Sequence, residues 1–243
     1  MRTKLTSVLS ALTVAAAVFP IRTAQAQMDL GAGYSNLASS TLSTLQLSLP
    51  LNPLRDTAKG KTTKSSGKAP NSGGNRFTFT STAATKKKAQ DAYVARLTKQ
   101  NPGTAKVLAE QFAAHDTDAI YRRILSRAGL HDTDAADAIA AYTVLGWMIA
   151  TGSAQPSPVA LRGARNQIAA RLAMNSRFSD PEIRTQIGEE IKLQIVIAQA
   201  GWQSARREGN LKAYSDGVAS LFVRQTGQDL RALKITNSGF AKA

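Results

Sequence analysis

HDTDAADAIAAYTVLGWMIATG, residues 131–152, decides how the chain folds. Three aspartates, Asp132, Asp134 and Asp137, precede an apolar body holding Tyr142 and Trp147, and Gly152 closes the run. Acids are favoured near the positive end of a helix dipole and glycine is a common helix stop. The stretch therefore reads as one helix, with the rest of the domain packed around it.

Outward from it the texture stays helical. Residues 82–100 predict a first helix ending ahead of Asn101 and Pro102, and residues 102–114 a second, with Pro102 in its first turn. Asp116 or Thr117 caps a third that reaches Gly129. Beyond the organising helix, Ser157 caps a fifth reaching about Met174. Asp180, Pro181 and Glu182 then combine a capping acceptor, a first-turn proline and an acid. From there Ile183, Ile187, Ile191, Ile195, Ala198 and Trp202 recur at helical spacing, the stripe of a long amphipathic helix facing a core. Asn210 opens the last long helix, which ends at Gly227; a short piece over 230–233 follows, then an irregular end. The expected fold class is all-α, a single bundle of about six to eight helices with short connections between antiparallel neighbours. No fixed repeat length favours a solenoid.

Ahead of the bundle the composition changes twice. Residues 1–26 have the parts of a secretory signal peptide: Arg2 and Lys4, an apolar run from Leu5 to Phe19, and Ala24, Gln25 and Ala26 before the expected cut. Pro20 and Arg22 end that run short of the roughly 20 residues needed to span a bilayer. Residues 27–76 read as a disordered basic arm. In it Leu45, Leu47, Leu49 and Leu51 alternate with polar residues or proline, and residues 57–76 form a Lys/Ser/Gly-rich linker with no aliphatic side chain larger than alanine. The helical domain occupies residues 77–243. Export without a lipid anchor implies a periplasmic or secreted protein.

The chain carries a formal net charge of +15. Nine of the 31 Lys and Arg, and two of the 16 acids, lie before Phe77, which leaves the helical domain at +8. The clusters at Lys86 to Lys88, Arg122 with Arg123, Arg162 with Arg165, and Arg206 with Arg207 suit an anionic envelope polymer, although each reads first as a solvated helix face. Export argues against nucleic acid as a partner. There are no cysteines, which excludes disulfides, thiol nucleophiles and thiolate metal sites.

The strongest candidates for chemistry are Asp134, Asp137 and His131. Asp134 and Asp137 are three apart and share one side of a helix, so paired carboxylates there can bind a cation or divide acid and base roles. His131 adds an imidazole, but no HxxxH or HExxH spacing supplies a second, and His115 stands alone. The preferred reading is architectural: one aspartate caps the helix and the others lie near its positive end. Asp137 is the exception, because Ala138 to Ala141 follow it, and inside a buried helix its carboxylate needs a partner such as an arginine. No metal or cofactor is expected. Serine-nucleophile elbows and glycine-rich phosphate loops are missing, and Tyr142, Trp147 and Trp202 read as core aromatics.

Residues Asp132 to Ala138, leading through Tyr142 and Trp147 to Gly152, together with the closing run Ile235 to Phe240, resemble a family of exported bacterial proteins known only as a domain of unknown function. Its pattern is a D-D-x-A-D-A helix start and a closing L-T-x-x-G-F; here Thr133 interrupts the doubled acid and Ile235 replaces leucine. The resemblance spans about residues 77–240 and implies an exported helical domain with no activity to carry over. The function expected is a non-catalytic exported module that binds a protein or another envelope component. One alternative is an enzyme or cation-binding protein with its site at the start of the 132–151 helix. The other is attachment of the basic arm to anionic lipid or polysaccharide.

Overall fold

The computed structural model describes residues 76–126 and 128–243; the stretches read above as a signal peptide, a leucine strip and a linker fall outside the described residues. Among those described, seven α-helices form an all-α bundle: α1 (Ala83–Thr98), α2 (Pro102–Ala114), α3 (Thr117–Ser126), α4 (Ala135–Thr151), α5 (Pro158–Leu172), α6 (Pro181–Glu208) and α7 (Leu211–Thr226). Two short 3₁₀ turns, Ser176–Ser179 and Leu230–Ala232, and a terminal hairpin of β1 (Leu233–Thr236) and β2 (Gly239–Lys242) complete the chain.

α4 is the centre. A helix apolar on nearly every face has to be covered on nearly every side, and α5, α6 and α7 all pack against α4. Its start is fixed by Asp134, whose side chain accepts from the Asp137 amide at 2.9 Å. Its end is Gly152, with φ of 68°, a left-handed conformation that costs glycine little. Where α7 crosses, Tyr142 stacks on Phe222 with ring centroids 5.1 Å apart. A β-carbon on Gly146 would lie 2.3 Å from the Phe222 ring, so this crossing depends on the missing side chain.

α6 is the long helix read from the isoleucine stripe. Asp180 caps it, Pro181 occupies its first turn, and Gly209 ends it at φ 74°. α1 and α3 lie on α6, and α1 pairs with α2. The chain enters the bundle through Phe77 to Phe79, an extended piece pinned to the start of α4 by two backbone hydrogen bonds of 2.9 Å, Phe79 N to Thr133 O and Ala135 N to Phe77 O. Both phenylalanines are buried.

The expected irregular end is instead the β1–β2 hairpin, in register Leu233 with Lys242, Ile235 with Phe240 and Thr236 with Gly239. Four-residue strands are too short to show a clear alternation, and Asn237 and Ser238 lack the Asn-Gly signature of a tight turn. Tertiary contacts hold the hairpin. Trp147 Nε1 donates to Leu233 O at 2.9 Å, and Gln167 Oε1 accepts from Phe240 N at 2.8 Å. Gly163 lets the turn sit directly on α5, since a β-carbon there would meet Asn237 O at 2.2 Å. Trp147 is thus half-buried and hydrogen-bonded rather than sealed in the core.

Candidate functional site

The three candidates at the start of α4 come together. Asp137 is buried, and its Oδ2 accepts from the backbone N–H of His131 at 2.7 Å and faces the ring Nδ1 of the same residue at 3.1 Å. Its Oδ1 accepts from Arg165 Nε at 2.5 Å. Arg165 Nη2 also reaches Asp134 Oδ2, at 3.4 Å, while Asp134 Oδ1 takes the Asp137 amide. All four carboxylate oxygens are therefore engaged by the chain itself. Asp132, half-buried, makes no ion pair among the described residues and stays outside the cluster.

The electrostatics match that geometry. Burial raises the Asp134 carboxyl above its usual value, aided by the Asp137 charge and opposed by the Asp137 amide and Arg165. Burial alone would lower Arg165, but the bonded Asp137 and neighbouring Asp134 outweigh it and raise the guanidinium further. One arginine thus answers two acids, as a buried charge requires. The reading of Arg165 as part of a solvated basic face is corrected here: it reaches inward to the carboxylates of α4. The imidazole of His131, 84% exposed, lies at the rim. Among the described residues no group of three or more His, Asp or Glu is arranged to hold a metal.

A second ionic network, between α1, α3 and α6, was not foreseen. Asp118 is buried and binds Lys86 Nζ at 2.9 Å, Lys192 Nζ at 3.2 Å and Arg122. Lys192, also buried, reaches Glu189 Oε2 at 3.5 Å and donates to Ser81 Oγ at 3.0 Å, with its ammonium 5.0 Å from the Phe79 ring centre and 5.5 Å from that of Tyr121. Although burial works to raise Asp118, Lys86 and Lys192 hold its carboxyl below the usual range. Lys86 and Arg122 are thereby tied into the fold rather than freely solvated. The available signal was the run Glu189, Glu190 and Lys192 set inside the α6 isoleucine stripe. Glu190 pairs with Arg96, and burial raises its carboxyl against that pairing.

Tyr121 lies between the two networks. Its ring is fully buried, its hydroxyl finds no hydrogen-bond partner among the described residues, and burial together with the charges of Asp137, Asp132, Asp118 and Asp134 pushes its ionisation upward.

A third region is concave. A cleft of about 360 Å³ opens between α3, α4, the start of α5 and α6. Its floor is apolar, with Ile120, Ile124, Leu145, Met148, Val196 and Ala200, and Trp202 forms a wall. Arg206 stacks over the Trp202 ring, its guanidinium carbon 4.1 Å from the ring centre. Polar groups stand at Arg123, Gln155, Gln199 and Gln203. None of these four side chains has a hydrogen-bond or ion-pair partner among the described residues. Trp202, read from the sequence as a core aromatic, is buried but faces this cleft.

No family model, curated protein or solved structure matches the chain. The geometry alone speaks for function.

Proposed function

We propose that the protein is an exported, non-catalytic binding module whose working surface is the cleft between α3, α4, α5 and α6. The export half rests on the signal-like residues 1–26. One observation carries the binding half. The polar groups around the cleft lack partners among the described residues, while those of the carboxylate cluster are all used. A concave, mostly apolar site with a few free polar groups is the common form of a ligand pocket, and its volume lies in the roughly 300–1,000 Å³ range of such pockets.

The test is titration of the full chain with a neutral apolar fluorophore such as phenylnaphthylamine. Saturable fluorescence gain that is lost in Ala200→Trp, with the circular-dichroism melt unchanged, is expected. A linear, unsaturated response in the parent chain removes the reading.

The contact of the exposed His131 imidazole with buried Asp137 favours one second reading, general-base chemistry at the start of α4. It requires turnover on a hydrolase substrate panel, with or without divalent metal, that His131→Ala abolishes. No turnover, together with no heat on metal titration, disposes of it.

A further inference from the structure

The cleft specifies its ligand more closely than "apolar". Among the described residues that line it only Arg123 is charged, and no carboxylate is among them. Arg123 projects from α3 as an exposed residue with no ion pair among the described residues, although the neighbouring Arg122 is taken up by Asp118. A second cation, Arg206, covers the Trp202 wall. Gln155, Gln199 and Gln203 add amides that can donate as well as accept. The lining therefore pairs a long apolar floor with a cationic, donor-rich rim, and its complement is a long apolar body ending in an anion.

Shape narrows the choice. An α-helix with its side chains is about 10–12 Å across, so an amphipathic partner helix would place only one row of side chains in a cleft of about 360 Å³ and leave most of its surface outside. A lipid bilayer presents a broad surface and would engage the rim without filling the floor. One flexible acyl chain can follow the gap between helices while its head remains at the rim.

Resting on the reading of the cleft as the working surface, we propose that it binds a free single-chain amphiphile with an anionic head, a long-chain carboxylate. The chain lies over Ile124, Leu145, Met148 and Ala200 beside Trp202, and the carboxylate meets Arg123 with the glutamines completing its hydrogen bonds. Arg206 acts as a positioning residue by holding the indole.

The experiment is calorimetric titration of the full chain with dodecanoate, dodecanol and dodecyltrimethylammonium, all below their aggregation concentrations, followed by vesicles of anionic phospholipid. Expected is saturable binding of dodecanoate about fivefold to tenfold tighter than of the cationic analogue. Arg123→Gln should erase that preference while changing dodecanol binding by a much smaller factor than dodecanoate binding. Ala200→Trp and, as a separately folded check, Gln203→Trp should abolish binding of all three. Equal binding of the anionic and cationic chains, lost in the filled variants, overturns the carboxylate assignment and leaves the cleft as the working surface. Binding only to vesicles, insensitive to Ala200→Trp, also overturns it. Silence in the full chain with binding restored on deleting residues 28–56 assigns the cleft to the chain's own leucine strip and overturns the proposal. Silence in both removes the working surface as well.

Discussion

The start of α4 and the cleft beside its middle are built from similar materials and differ in one respect. Both place arginines at the edge of apolar helices. At the start of α4, Arg165 is committed to Asp137 and Asp134, and each carboxylate oxygen has a donor. At the cleft, Arg123 and three glutamines have no partner among the described residues. A buried charge without its partner is costly, so groups that are paired inside the fold cannot be withdrawn without loss. Groups that meet only water can be offered to a ligand. The contrast separates what holds the protein together from what it can bind.

The sharpest way to break that contrast is Asp137→Ala. It removes the closer of the two carboxylates that Arg165 meets, leaving only Asp134 at 3.4 Å, and takes the acceptor from the His131 amide; urea titration should show a loss of about 3 kcal/mol. Arg165→Ala should cost a similar amount, and the double variant far less than the two together, because the pair acts as a unit. Ligand binding at the cleft should be unchanged in whatever fraction remains folded. Full stability in Asp137→Ala would place the cluster with the cleft as a surface free for other work.

Lys192→Met tests the second network in the same way. Asp118 loses one of three cations but keeps Lys86 and Arg122, so the expected loss is smaller, about 2–3 kcal/mol by urea titration. A gain in stability would mean that burying the ammonium outweighs its bonds.

How far this was readable without a structure follows from where each signal resides. The end of α4, a cap somewhere among its three aspartates and the need of Asp137 for a partner such as an arginine were legible, because local spacing and an apolar neighbourhood specify them; that Asp134 is the cap, so that the helix begins at Ala135 rather than 132, was not. Which arginine was not, since Arg165 reaches across from the next helix, 28 positions along. Apolar stripes also conceal the cleft: Ile124, Met148 and Trp202 have the periodicity of core residues whether the helices touch or leave a gap between them. The hairpin escaped for the same reason, its stability coming from Trp147, Gln167 and the bare backbone of Gly163 rather than from its own residues.

Acidity gives a finer comparison within the paired regions. Asp118 lies below its ordinary value of 3.8, so its contribution is present above that pH and is lost as pH falls through the lowered value. Asp134 lies above 3.8, so its contribution is present below 3.8 and is lost as pH rises through the raised value. Asparagine caps a helix as well as aspartate does. Between about pH 3 and pH 7, the urea midpoint of Asp134→Asn should therefore improve relative to the parent as pH rises, while Asp118→Asn worsens relative to it. Parallel profiles for the two variants would show that the two carboxylates do not differ in this way.

The smallest expected effect is the most informative about the cleft. Arg123→Gln removes a full charge from the same helix that carries Arg122, yet among the described residues Arg123 has no partner to strand, and it lies at the surface. Substitutions of that kind usually shift stability by no more than about 0.5 kcal/mol. An unchanged urea midpoint, set against the large loss in Asp137→Ala, would mean that two arginine-containing sites on one bundle serve separate ends, one spent on folding and one held in reserve for binding. A loss approaching that of Arg165→Ala would instead tie Arg123 to the fold, and the cleft would lose the feature that distinguishes it from the start of α4.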